Sequence, residues 1–178
     1  LPRIGAVCPL RGKVNKEGRY DFTGKSALPL PFIGEHRAPV EPLVDVHWGS
    51  SNGTLYALAP IREGLTPWAD LFMGWEDMGY GWELERNGWR QVVVTDAPFD
   101  DPQEYASHRI GPFTLRVTDK PAWYAYYQMR NLILVTRRAR KPPSARAMVA
   151  GRIALEFGLT TFLRPQKPLR LRLLARGV

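Results

Sequence analysis

Residues 75–95 run from a helix almost directly into a strand, and that junction limits the fold more than any other stretch. Residues 75–87 read as a helix, Gly88 as its C-terminal stop, and "WRQVVVT" at 89–95 as a β-branched strand. "IGAVCPL" at 4–10 reads as a second, buried strand. "LVDVHWGSSNGTLYALA" at 43–59 reads as strand, turn, strand: Val44, Val46 and Trp48 alternate, "SSNG" turns, and "TLYALA" resumes. Pro60 opens a short helix, "PIREGL". Residues 11–42 form a long loop with room for one hairpin, and loops of that length are usually functional. "DAPFDDPQEY" is a loop and 103–120 is irregular. Three helices follow, at 121–140 with Pro121 in its first turn, at 144–159 with Ser144 as cap, and in "PQKPLRLRLLARGV".

This order gives an α/β chain, a mixed sheet with flanking helices plus C-terminal helices. The strands are too few for a free-standing wound sheet. Together with the absence of an initiator Met at Leu1, that reads as part of a longer protein. Residues 1–135 make the main body and 136–178 a basic helical tail.

The 178 residues, 44% hydrophobic and 24% charged, suffice for one core and exclude wholesale disorder. The one cysteine, Cys8, rules out an intrachain disulfide and a four-thiolate metal site, and suits a cytoplasmic setting. No run approaches the ~18 apolar residues of a membrane span. The net charge of +8 is not spread evenly. Residues 1–129 carry 13 basic and 16 acidic side chains, whereas 130–178 carry 12 basic and one acidic. A block of +11 suits phosphate, nucleic acid or an anionic membrane surface, and a solvated basic helix pair is the plainer alternative. Nucleic acid is disfavoured, since beyond Tyr127 only Phe157 and Phe162 interleave with the arginines.

Within "MGWEDMGYGWELERNGWR" at 73–90, Glu76 and Asp77 open the helix among three tryptophans and four glycines. The unpaired N–H groups and dipole of a helix start favour acidic side chains, a structural role worth under ~1 kcal/mol. Gly79 and Gly81 argue for more, since each costs about 1 kcal/mol relative to Ala inside a helix. Glycine there permits close approach by a ligand or a neighbouring backbone. Trp75 and Trp82 offer flat faces for sugar rings, or else pack in the core. A carboxylate at this place can act as a general base toward an acceptor hydroxyl.

"FMGWEDMGYGWELERNGWRQVVV" resembles the acidic acceptor-site block of family-2 inverting glycosyltransferases with the GT-A fold, in the bacterial rhamnosyl- and galactofuranosyl-transferase manner. "IGAVCP", "VHWGSSNGTLYA" and "WYAYYQMRNLILVTRR" resemble further segments of that family in the same order, and the likeness covers nearly the whole chain. It implies a partial GT-A fold, the C-terminal, acceptor-side portion, with nucleotide-sugar as donor and a saccharide or lipid-linked acceptor. By the resemblance Asp77 is the catalytic base and Glu76 holds it or positions the acceptor. Gly53, Gly74, Trp75 and Trp82 line the acceptor pocket, and Arg130 with Asn131 braces the helix behind it, although a structural ion pair suits Arg130 better. Asp101 stands where the family places a metal-binding His, so Mg²⁺ or Mn²⁺ is the expected cofactor, and a turn-capping role for Asp101 is the alternative. The family's D-x-D motif is not among these residues, so the chain alone is expected to lack donor binding and activity. The implied location is the cytoplasm, with peripheral contact at the inner face of the plasma membrane through the basic tail. The competing class is a non-catalytic module that binds carbohydrate or an anionic surface.

Overall fold

The computed structural model describes residues 3–11, 19–21, 35–37, 41–99, 105–110, 113–118, 120–141 and 143–178. Its strands are β1 (Ile4–Arg11), β2 (Arg19–Asp21), β3 (Glu35–Arg37), β4 (Leu43–Val46), β5 (Leu55–Tyr56), β6 (Arg90–Phe99), β7 (Tyr105–Ile110) and β8 (Phe113–Thr118). Its helices are α1 (Leu58–Arg62), α2 (Glu76–Arg86), α3 (Tyr124–Arg138), α4 (Pro143–Phe162) and α5 (Lys167–Gly177). The chain is thus mixed α/β, as its sequence implies.

The two apolar strands, β1 and β6, pair in parallel at the centre of a four-stranded sheet ordered β4-β6-β1-β5. β4 lies antiparallel to β6 and β5 antiparallel to β1. The expected hairpin at 43–59 is therefore not formed. Its two strands sit on opposite edges, with residues 47–54 crossing between them. Alternation in 43–48 reports one buried face but says nothing of the partner, and the long apolar strands β1 and β6 take the centre. β6 also runs on to Phe99, where Leu10 and Arg11 of β1 meet Pro98 and Phe99 after a register shift. Residues 103–120, expected to be irregular, contain the antiparallel pair β7–β8. Among the described residues of 11–42, β2 and β3 form an antiparallel pair, in keeping with the room for a hairpin there. Ser144 lies inside α4, which begins at Pro143, rather than capping it. The expected boundary at 135–136 falls inside α3.

α2 joins β6 through Gly88, and the Trp89 N–H donates to the Leu84 carbonyl at 3.0 Å. One face of α2 meets the sheet, where Tyr80 and Leu84 pack with Ala6, Cys8 and Val93. The other meets α3 and α4, where Met78 and Trp82 pack with Leu71, Leu132, Val135 and Val149. Each large side chain buried in this way contributes about 1.5–3 kcal/mol. Gln91 fastens the layers: its amide donates to the His47 carbonyl at 2.8 Å and the Gly81 carbonyl at 3.0 Å.

That fastening explains Gly81. A Cβ there would sit 2.4 Å from Trp48 Cβ and 2.8 Å from Trp48 Cα. The close approach foreseen for this glycine is made by the chain's own crossing segment. Gly151 of α4 is the opposite case, since a Cβ there meets nothing within 4 Å. Gly81→Ala is expected to destabilise by about 1–3 kcal/mol through overpacking. Gly151→Ala is expected to stabilise by about 0.5–1 kcal/mol through helix propensity. Urea unfolding midpoints of the two variants should move in opposite directions.

Candidate active site

Three of the four residues before α2 hold positive φ: Phe72 at 52°, Gly74 at 87° and Trp75 at 67°. At Phe72 the backbone makes a tight three-residue turn (ψ −63°), closed by the Met73 N–H donating to the Leu71 carbonyl. That conformation is rare and strained for a side-chain-bearing residue. It persists because the neighbourhood fixes it. Asn131, fully buried in α3, donates from its amide nitrogen to the Met73 carbonyl at 2.9 Å, the Gly74 carbonyl at 3.0 Å and the Leu71 carbonyl. Arg130 holds Asn131 in turn, its guanidinium donating at 3.0 Å to the Asn131 side-chain oxygen and at 3.0 Å to the Asp70 carbonyl. The Trp75 indole N–H reaches the Gln128 carbonyl at 2.9 Å. Four backbone carbonyls, those of Asp70, Leu71, Met73 and Gly74, and the Trp75 indole are thus tied to α3 just ahead of the acidic pair.

The loop delivers Glu76 and Asp77 into the first turn of α2. Asp77 Oδ1 accepts the Met78 N–H at 2.7 Å. Glu76 Oε2 is buried with no hydrogen-bond partner among the described residues. An unsatisfied buried carboxylate oxygen costs free energy that a stability-driven sequence would avoid. The pair's charges reach three groups on other elements. Burial raises the Cys8 thiol, the Thr54 side chain lowers it by a hydrogen bond, and the Asp77 charge raises it. Tyr56 and Tyr124 are raised chiefly by burial and then in part by Glu76 and Asp77. The acidic pair, the Cys8 position of β1, Tyr56 of β5 and Tyr124 of α3 therefore share one neighbourhood.

Most of the residues expected at the site gather here. Gly74, Trp75, Glu76 and Asp77 are contiguous, with Arg130 braced behind them. Among the described residues Arg130 bonds a backbone carbonyl and an amide and forms no ion pair. Gly53 (φ 74°) lies over the ends of the parallel strands, where its Cβ would be 3.1 Å from Pro9 and from Phe99. Trp82 does not join them. It is 2% exposed, packed between α2, α3 and α4, with the Lys141 ammonium 4.2 Å over its ring. The expectation that it offers a face to a sugar is corrected by that burial. Asp101, expected as a metal ligand, lies outside the described residues. Among the described residues no three His, Cys, Asp or Glu side chains converge for a metal ion. The described residues alone do not supply a metal set.

Tyr124 and Tyr56 were not singled out from the sequence. Tyrosines crowd "WYAYYQ", but spacing alone cannot say which one turns inward. The phenol oxygen of Tyr124 lies 3.1 Å from where a Cβ on Gly74 would stand, so Gly74 is also the place where α3 touches the loop.

The chain matches no protein-family model, no curated protein and no solved structure.

Removing the clamp should loosen this arrangement: Asn131→Ala orphans several buried carbonyls. It is expected to cost at least the ~1–3 kcal/mol of one such group, read as a lowered urea midpoint. The tyrosines set a pH limit. Tyr124, ordinarily near 10.0, is pushed to about 12, so the folded state holds its proton more tightly than the unfolded state. The associated stability is complete below pH 10.0 and is lost as pH rises through about 12. In an alkaline titration followed by tyrosinate absorbance, Tyr124 and Tyr56 should ionise well above pH 10.0, together with unfolding. Tyr124→Phe should remove one late step.

Proposed function

We propose that the chain is the acceptor-side part of a family-2 inverting glycosyltransferase of GT-A fold. The observation that carries the reading is the Glu76–Asp77 pair at the head of α2, set on a strained loop clamped by Asn131. Strain of this kind persists where the surroundings over-determine it, and it clusters at functional sites. α2 feeds β6 through Gly88, and the Asp77 charge acts on Cys8 in the C-terminal half of β1, so the first turn of α2 lies toward the C-terminal ends of the parallel strands. That is the edge where open α/β sheets bind ligands.

In this reading Asp77 takes the proton from an acceptor hydroxyl as that oxygen attacks the anomeric carbon of a nucleotide-sugar. The bond from that carbon to the nucleoside diphosphate breaks with inversion. Glu76, with one oxygen buried and unsatisfied, positions the hydroxyl or Asp77 itself. Trp75, tied by its indole to Gln128, borders the acceptor. The resemblance brings Mg²⁺ or Mn²⁺ with it, which when bound would supply positive charge toward a diphosphate. The acceptor is a saccharide or a lipid-linked saccharide of the cell surface. The basic helices α4 and α5 suit an anionic membrane, with Phe162 and Leu169 exposed among their cations. Among the described residues no helix is long and apolar enough to cross one.

The test uses the full product of the gene. Asp77→Asn keeps the oxygen that accepts the Met78 N–H, so the fold should survive. Transfer is expected to fall by about 10²–10⁴-fold, the usual worth of a general base, while nucleotide-sugar binding by calorimetry stays close to wild type. Undiminished transfer in that variant would sink the assignment.

A further inference from the structure

Phe72, Tyr127 and Trp123 form an aromatic ledge beside the carboxylate pair. The Phe72 and Tyr127 ring centres are 5.2 Å apart, tilted by 55°, and Trp123 stands edge-on to Tyr127 at 6.1 Å. Phe72 is 68% exposed and Trp123 44%. Two observations separate this ledge from ordinary surface exposure. The strained turn places Phe72 outward, at a φ of 52° that a bulky residue rarely adopts. A fold indifferent to this side chain would be relieved by glycine. The ledge also runs without a break into the site: Trp123 packs against Tyr124 at 6.0 Å, and the Tyr124 phenol lies against Gly74. Gln128, next to Tyr127, accepts the Trp75 indole N–H.

We propose that this ledge is a saccharide subsite: a sugar ring lays its apolar C–H face on Phe72 and Trp123, with its hydroxyl edge toward Glu76 and Asp77. The chemistry selects this class. Two carboxylates repel phosphate and other anions and accept hydroxyl protons. Exposed aromatic rings give flat contact area of the size a sugar ring covers. A quaternary ammonium would also suit rings beside acids. Against it, the Lys120 ammonium already lies 5.9 Å over Tyr124, and the Arg130 guanidinium stands behind the loop. That the bound sugar is the acceptor rests on the glycosyltransferase reading; that a sugar binds here does not.

The test titrates the 178-residue chain with methyl pyranosides and methyl furanosides of the common hexoses, read by tryptophan fluorescence and saturation-transfer NMR. Tetramethylammonium chloride and phosphatidylcholine vesicles are run in parallel. Saccharide binding is expected, weakened about fivefold or more by Phe72→Ala or Trp123→Ala. Leu58→Ala, which removes a side chain 62% exposed on α1, should leave it unchanged. Saccharide binding that survives both ledge variants overturns the proposal, as does binding of tetramethylammonium or vesicles with no glycoside. Thermal melts of the variants separate lost binding from lost fold. The two readings fail separately. Ledge variants without effect, alongside an inactive Asp77→Asn, remove the subsite and leave the enzyme reading. Lost saccharide binding alongside a fully active Asp77→Asn does the reverse.

Discussion

Asn131 is completely buried in α3, and its amide nitrogen faces the carbonyls of Leu71, Met73 and Gly74. Those carbonyls belong to a loop that lacks a regular hydrogen-bonding pattern and contains two non-glycine residues at positive φ. Left alone, such a segment would relax toward ordinary backbone angles and leave buried oxygens without donors. The amide prevents both. Its own oxygen is satisfied by Arg130, so the clamp is a closed network and carries no polar debt into the core. Everything at the head of α2, from the direction of the acidic pair to the outward Phe72, follows from that network.

How much of this could be read in advance differs by feature. β1, β6, α2, α3 and α5 were legible because their signals are local, such as continuous apolar runs and a glycine stop, although Pro121, expected in the first turn of α3, lies before that helix begins at Tyr124. The pairing of β4 and β5 was not, because partner choice depends on which strands claim the centre of the sheet. β7 and β8 were missed although Phe113, Leu115 and Val117 alternate with polar residues along β8. Glu76 and Asp77 could be picked out by their setting of glycines and tryptophans. The same setting misled at Trp82, since an indole looks alike in sequence whether it faces core or solvent. The glycines were informative for a reason that only packing shows, namely that one of them admits Trp48.

The basic C-terminal block resolves into two populations. Some cations are spent inside. Glu156, 2% exposed, holds Arg152 and Arg164, and Arg170 donates to the carbonyls of Lys120 and Pro165 at 2.6 Å and 3.1 Å. These contacts tie α4 and α5 to the start of α3, next to Tyr124. Breaking such a buried pair from one side costs far more than the pair contributes when intact. Arg137, Arg140, Arg146, Lys167, Arg172 and Arg176 are exposed, and no acidic side chain follows Glu156 in the chain. The outward charge is therefore nearly of one sign.

The crossing of residues 47–54 has a consequence for how the sheet can grow. Its four strands span three inter-strand gaps, about 14–15 Å, and a crossing of eight residues reaches at most ~29 Å. Both ends of that tether are edge strands, and Gly81 and Cys8 press it down along its course. The tether leaves slack, so what keeps a newcomer out from between β6 and β1 is their parallel pairing, which anchors the core. Any strand contributed by another segment must dock on the outer flank of β4 or of the two-residue β5. Extension of this sheet is confined to two addressable seams.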